Sequence, residues 1–275
     1  MKHKLNFFVA LLFLNSFLII SCNNKPKEVG LGTKIKNDQN PEDVNLSKKW
    51  LDFIAKNSGF KEFDKDKFDN LDFSNVLSNH LRIKNDPIST YVGVFGSNFN
   101  RIDFHLEVIK KDNEYLIAGK DKLNSNMREL KGEMKLKKIL LSTENYITDS
   151  LYLALFDCIM REPGDKNGDG VFTGIFTLVF YIKNAEIHFF KSDSGDEPTY
   201  TNTFIGKWTR YNSVIQKQCI FSFHAAGLYE KLPFCDELYT IEENDDFSII
   251  KDKYKQFGWT DYNPEKKDKT DWWKK

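Results

Sequence analysis

The sequence has 275 residues, and its 40 Lys and Arg residues are balanced by 40 Asp and Glu residues. A balanced charge excludes the overall basic character that favours nucleic acid or acidic lipid as a partner. The length suits one large β domain or two small ones, and beyond Cys22 no apolar run is long enough to span a membrane.

The amino terminus predicts export and lipidation. A short basic start precedes an apolar run from Leu5 to Ile20, and a small residue follows in Ile19-Ile20-Ser21-Cys22, as in a secretory signal. These four residues resemble a lipobox, the recognition sequence of bacterial lipoproteins, which implies cleavage before Cys22 and acyl chains such as palmitate on that cysteine. We expect residues 1–21 to be a signal peptide and the lipid to lie in the outer membrane, or alternatively in the plasma membrane. An uncleaved anchor is disfavoured because the run is short and holds three polar residues.

The segment after Cys22 predicts a tether and then helix. Residues 22–45 are rich in Lys, Asn, Gly and Pro and have few large apolar side chains, so we expect a polar lipidated tether. Residues 46–86 are expected to be helical or irregular, with one helix between Asn45 and Ser58-Gly59 and another short one near Phe73 to Leu81. The first helix is indicated by apolar residues at helical spacing: Leu46, Trp50, Phe53 and Ile54.

Residues 87–226 predict a mainly β domain. Eight or nine short runs with alternating or β-rich composition are separated by tight turns: Thr90–Phe95, Ile102–Val108, Tyr115–Ala118, Leu130–Leu141, Leu151–Met160, Val171–Ile182, Glu186–Phe190, Phe204–Tyr211 and Gln218–His224. This order favours an antiparallel meander, and closure into a barrel of lipocalin-like architecture would remove its exposed edges. A β-sandwich is the main alternative. Residues 227–275 predict a loop-rich extension whose aromatic side chains pack on the barrel, with a mobile tail from Trp272.

Four short elements carry a further resemblance: Glu162-Pro163-Gly164-Asp165, Asp169-Gly170-x-Phe172, Gly206-x-Trp208-x-x-Tyr211, and Lys253-Tyr254 followed by Gly258-Trp259 and Tyr262. In this order they resemble a group of uncharacterised, exported, β-rich bacterial proteins, many of them lipoproteins. The resemblance implies export and a β fold, and it implies no activity. The Gly-x-Trp element also occurs in lipocalin-like barrels, but there it opens the first strand and here it lies late in the chain.

The loop from Asp165 to Gly170 is the candidate metal site. Asp165, Asn167 and Asp169 place oxygens at positions 1, 3 and 5 of a calcium loop, with Gly170 at position 6. A complete loop also needs a bidentate Glu at position 12, where this chain has Phe176. We therefore expect a surface turn built from residues that tolerate left-handed backbone angles, with Ca²⁺ as the one possible cofactor.

Motifs for catalysis are poor in this chain. There is no nucleophile elbow, zinc-protease helix motif, phosphate loop or Cys-x-x-Cys. Three histidines are expected on polar strand faces and therefore in solvent: His105, His188 and His224. The sequence favours a non-catalytic binding or interaction module of the envelope, whose partners are the membrane, a small apolar ligand or an unknown protein, and not nucleic acid. The alternative is a hydrolase of glycan or lipid that uses loop carboxylates such as Asp193, Asp196 and Glu197.

Three cysteines remain after Cys22. Export permits disulfides, and an odd number leaves at least one thiol unpaired within a monomer. A Cys219–Cys235 disulfide would close a short loop, and buried free thiols at Cys158, Cys219 and Cys235 are the equal alternative.

Overall fold

The computed structural model describes residues 46–57, 59–79, 90–143, 150–190, 202–222, 238–241, 248–260, 262 and 271–274. Contacts divide the chain into residues 1–36 and residues 37–275, and every described residue belongs to the second unit. The predictions for the signal peptide, Cys22, the tether, Cys235, His224 and the acidic loop at residues 193–197 lie outside the described residues.

The period-two runs of the sequence form one large antiparallel sheet. The strands are β1 (Phe60–Phe63), β2 (Tyr91–Phe95), β3 (Asn100–Lys111), β4 (Glu114–Leu123), β5 (Asn126–Ser142), β6 (Leu151–Arg161), β7 (Gly170–Lys183), β8 (Glu186–Phe189), β9 (Thr203–Arg210) and β10 (Gln216–Ser222). Hydrogen bonds run through β5-β4-β3-β2-β10-β9-β7-β6 and return to β5, so eight strands close a ring. The predicted closure of an antiparallel meander is therefore confirmed in the hydrogen bonding.

Aromatic side chains fill most of the ring. Alternation along each strand sends every second side chain inward, and the inward set includes seven fully buried phenylalanines: Phe104, Phe156, Phe172, Phe176, Phe180, Phe204 and Phe221. Their rings pack mainly edge-to-face or stacked, as between Phe204 and Phe221, whose centroids are 4.8 Å apart. Each such burial contributes roughly 1.5–3 kcal/mol, so this packed interior is the main source of stability.

One end of the ring is closed by residues 65–79. A 3-10 helix (Lys65–Phe68) and a short α-helix, α2 (Ser74–Leu77), insert Phe68 and Phe73 between the ends of the strands. The Ser78 hydroxyl donates to the carbonyl of Val108 over 2.9 Å and anchors the cap to β3. The second predicted helix is thus present but short. Strand β1, which pairs with the end of β5, was not predicted because its four residues show no clear alternation.

Helix α1 (Leu46–Asn57) covers the outer face of the ring on one side. Its predicted apolar stripe buries Trp50 and Ile54 against outward side chains of the sheet such as Ile205 and Ile220. The Ser47 hydroxyl donates to the Ile205 carbonyl over 2.9 Å. In the described residues no helix has the length and apolar character to cross a membrane.

The carboxyl-terminal residues contribute to the same outer cluster. These residues form β11 (Tyr239–Ile241), β12 (Ser248–Ile250), and short helical turns at Asp252–Tyr254 and Lys255–Trp259. A further turn, Trp272–Lys274, lies outside this cluster. The buried Trp259 indole donates to the Phe99 carbonyl over 2.6 Å, and the Tyr254 ring lies 5.1 Å from the Phe99 ring. Packing of Trp259 against the sheet agrees with its expected structural role.

Two sequence expectations are wrong on the outer face of β3. His105 was expected in solvent, but it is buried because the Trp273 ring stacks on it at 4.3 Å with an interplanar angle of 6°. The tail was expected to be mobile, but Trp272–Lys274 forms a 3-10 helix in which Trp272 is buried. An alternating strand identifies the outward face, and it does not reveal that a distant segment covers that face.

The two described cysteines after the signal, Cys158 and Cys219, are buried free thiols. The sequence left open a Cys219–Cys235 disulfide or a free thiol, and Cys219 is a free thiol. Both side chains point into the packed interior of the ring, and burial raises the pKa of each thiol. Neither has the thiolate character that redox chemistry needs.

Candidate functional site: the polar end of the ring

The loop between β6 and β7, residues 162–169, lies at the end of the ring opposite the helical cap. Asp169 holds this loop together: its Oδ2 accepts from the backbone amides of Gly164 and Lys166, each over 3.1 Å. Its Oδ1 accepts from Nε of Arg128 over 2.9 Å. Burial alone would raise the pKa of Asp169, but these hydrogen bonds and the guanidinium outweigh it and lower that pKa.

The oxygens proposed for calcium therefore face donors in this structure. Those of Asp169 are taken by Arg128 and two amides, and Oδ1 of Asn167 accepts from the Arg210 guanidinium. Asp165 is exposed. Within the described ranges no group of three Asp, Glu, His or Cys side chains lies close enough to hold a metal ion. A Ca²⁺ ion would have to displace the donors from Asn167 and Asp169. The expected surface turn and the alternative calcium site both stay predictions.

Glu162 forms the second anchor of the loop. Its Oε2 accepts from the Trp208 indole over 2.9 Å and from the Gly170 amide, and its Oε1 lies 3.2 Å from Nε of Arg128. The hydroxyl of Tyr211 donates to the Glu162 carbonyl over 2.9 Å. Gly170 must be glycine here because a Cβ atom would come within 2.5 Å of the Trp208 ring.

Three of the sequence elements singled out above meet at this anchor. The Glu162 element supplies the acceptor, the Gly170 element supplies an amide, and the Trp208 and Tyr211 side chains close the contact from β9 and the turn after it. Their spacing in the sequence is explained by one hydrogen-bond cluster. The cluster builds the wall of a cavity.

A cavity of about 240 Å³ opens beside this cluster. Its apolar wall comes from β2, β3, β4 and β7, with Phe95, Ile102, Leu123 and Phe172. Its polar wall holds Asp121, Arg128, Glu162, Trp208, Arg210 and Lys217, and Gly168 and Ile215 also line it. A volume below the usual 300–1,000 Å³ of drug-sized pockets suits a small ligand. Apolar walls with a few converging polar groups are typical of ligand sites.

Asp121 is the unusual residue of the cavity. It points inward from β4 and only 1% of its surface is exposed. Among the described residues no donor makes a hydrogen bond to either of its carboxylate oxygens. Arg128 lies directly across the β4–β5 pair, but its guanidinium Nε is directed to Asp169 and Glu162. A buried polar group without a partner is rare in folded proteins and calls for an explanation.

Asp121 shares the cavity wall with another acid, Glu162. Burial raises the pKa of Asp121 well above its usual range, and the charge of the Glu162 carboxylate raises it further. Arg128 acts in the opposite direction. Burial also raises the pKa of Glu162, although Trp208 and Arg128 partly offset this. Two carboxyl groups in contact can bond only when they share a proton or a ligand supplies donors.

Comparison with protein-family models, with curated proteins and with solved structures found no match to this chain. The geometry of the cavity is thus the basis for any functional conclusion.

The sequence reasoning missed Asp121 and Arg128. A signal was present, because Tyr115, Ile117, Gly119, Asp121 and Leu123 share one face of β4 and only Asp121 is charged. A charge at an inward strand position is costly unless it is paired or functional. The sequence did single out Glu162 and Asp169, but it predicted a surface turn with calcium as the alternative and did not connect the loop to Trp208.

Proposed function

We propose that this chain is a membrane-anchored lipoprotein of the cell envelope that binds a small molecule in the cavity at the polar end of the ring. The observation that carries the binding function is Asp121, a buried carboxyl that faces a cavity and has no donor among the described residues. A ligand with hydrogen-bond donors would remove the cost of that buried group. The lipobox at Ile19-Ile20-Ser21-Cys22 supports anchoring, with the outer membrane as the favoured location.

The packed interior supports binding near the end of the ring and not through its whole length. Phenylalanine rings fill the ring from the helical cap as far as Phe172 and Trp208. Among the described residues, a cavity opens where these aromatic side chains give way to the polar cluster. The ligand should therefore be small and should have one apolar face against Phe95 and Leu123.

A hydrolase is the second candidate, and the presence of two buried acids, Asp121 and Glu162, in one cavity is the observation that favours it. Two acids with raised pKa values can act as a general acid and base. However, Glu162 is held by Trp208, Gly170 and Arg128, so its oxygens are already engaged. Glycoside hydrolysis also needs carboxyl groups about 5 Å or more apart, on both sides of the substrate bond. The arrangement therefore supports binding better than catalysis.

A fragment screen by saturation-transfer NMR tests the binding function. We expect fragments to bind the wild-type protein. Leu123→Trp should abolish this binding, because the larger ring fills the cavity. Leu116→Trp is the matched control, since Leu116 lies on the same strand but is 42% exposed on the outer face. Fragments that bind equally to wild type and to Leu123→Trp would contradict a site in this cavity. Turnover of glycoside or ester substrates that Asp121→Asn abolishes would favour the hydrolase.

A further inference from the structure

The charged groups of the cavity are sorted by depth. Asp121 and Glu162 are buried at the floor. Arg210 and Lys217 are only half-buried, and Ile215 between them in sequence is exposed at the rim. The floor thus presents acids and the rim presents bases.

The bases at the rim do not reach the acids at the floor. The Lys217 ammonium lies over the Phe95 ring, 5.3 Å from its centroid. The Arg210 guanidinium donates to the side chain of Asn167 in the loop. Arg128, the base nearest the floor, is divided between Glu162 and Asp169. Among the described residues, none of these bases donates a hydrogen bond to Asp121.

The acids and bases that line the cavity are separated. Asp121 and Glu162 are the lining acids, and Arg128, Arg210 and Lys217 are the lining bases. Arg128 is engaged by Glu162 and by Asp169, which lies outside the lining. A ligand that carries both signs would match the remaining groups, if its positive group lies deep near Asp121 and its negative group lies near the rim.

We propose that the cavity binds a small zwitterion, whose ammonium group donates to Asp121 and Glu162 at the floor and whose anionic group meets Lys217 and Arg210 at the rim. The proposal rests on the proposed binding function and adds the chemical class of the ligand. An ammonium group supplies the donors that Asp121 lacks. The methylenes between the two charged groups would contact Phe95, Leu123 and Phe172.

Isothermal titration calorimetry with simple probes tests this inference. The probes are ω-amino acids with three to seven methylenes between ammonium and carboxylate, and the alkylammonium, alkanoate and alcohol of each length. We expect one length of ω-amino acid to bind most tightly, followed by the alkylammonium ions, because the distance from floor to rim selects the length. Alkanoates and alcohols should bind about tenfold or more weakly, since they make no charged hydrogen bond with the floor.

Three variants separate the two ends of the site. Asp121→Asn should weaken the binding of ω-amino acids and of alkylammonium ions by about tenfold or more. Lys217→Met keeps the apolar stem of the side chain, and it should weaken the binding of the ω-amino acids only. Asp157→Asn, an exposed strand carboxylate on the outer face, is the matched control and should change nothing.

Two outcomes would overturn the inference in distinguishable ways. Alkanoates or alcohols that bind as tightly as the ω-amino acids, and that Leu123→Trp abolishes, would preserve the cavity as a binding site but refute the zwitterion. Failure of every probe series to bind would refute the zwitterion as well, and the fragment screen would then decide on the cavity itself.

Discussion

Replacement of Asp121 by Asn should stabilise the protein while it weakens ligand binding. In the wild type the carboxyl is buried without a donor among the described residues, and the charge of the nearby Glu162 carboxylate disfavours its ionised form. An Asn side chain of the same shape removes the charge, and its amide can donate to Glu162. Loss of an unsatisfied buried group is worth about 1–3 kcal/mol. Stabilisation at a functional position is the usual trade-off between stability and activity.

The stabilisation that Asp121→Asn gives should depend on pH. The folded-state pKa of Asp121 is raised above its usual 3.8 by burial first and then by Glu162. The wild type therefore holds a proton that the unfolded chain releases, and this stabilisation is complete below pH 3.8 and is lost as pH rises through the folded-state value. The groups that face Asp121 among the described residues are Glu162, Asp169, Arg128 and Cys219. Of these, Glu162 also has a pKa that burial raises above its usual value, and Asp169 has a lowered pKa.

Thermal unfolding of the purified protein between pH 4 and pH 8 measures this prediction. A gain of about 2 kcal/mol at neutral pH corresponds to a rise in Tm of about 4–8 °C for a protein of this size. The rise should shrink toward zero near pH 4, where the protonated Asp121 can itself donate to Glu162. Asp157→Asn should show no such pH dependence, because an exposed ion pair contributes only about 0–1 kcal/mol. A lower Tm for Asp121→Asn at pH 7 would refute the reasoning, since Asp121 would then be a satisfied structural charge.

Three further predictions concern the lipidated Cys22, the loop at Asp165 and the ion pairs of Arg128. Cys22→Ala should abolish incorporation of labelled palmitate and normal processing, and absence of label in the wild type would contradict the lipoprotein proposal. Melting curves in calcium and in EDTA should coincide, because Arg128 and two amides occupy Asp169; a higher Tm in calcium that Asp169→Ala abolishes would establish the metal site instead. Arg128→Met should lower the free energy of unfolding by about 3 kcal/mol, since it leaves Glu162 and Asp169 buried without their cation, and a loss below 1 kcal/mol in urea unfolding would contradict this.

The fold was predictable because each strand has a recognisable alternation of apolar and polar residues in its own short segment of sequence. The alternation of Ile102, Phe104, Leu106 and Val108 identified both β3 and its inward face. Turn residues such as Asp112 and Asn184, which adopt positive φ angles, marked the ends of neighbouring strands. Closure of the ring followed from the number of strands and the cost of exposed edges.

The site was less predictable because it is assembled from distant segments. Asp121 and Glu162 are 41 residues apart, and their contact depends on the register between β4, β5 and β6. The Asp165 loop was visible as a motif, but its meaning depended on Arg128 and Arg210, which no local pattern connects to it. The burial of His105 under Trp273 is of the same kind. Local patterns report on elements, whereas a site depends on how those elements meet.

Native mass spectrometry of the protein purified from its native membrane fraction tests the central claim most directly. The account predicts that the wild type carries a small molecule whose mass is lost on unfolding, and that Leu123→Trp carries none because its cavity is filled. Leu116→Trp should retain the same adduct. A wild type that shows only its ligand-free mass under these mild conditions, identical to Leu123→Trp, would contradict small-molecule binding in this cavity.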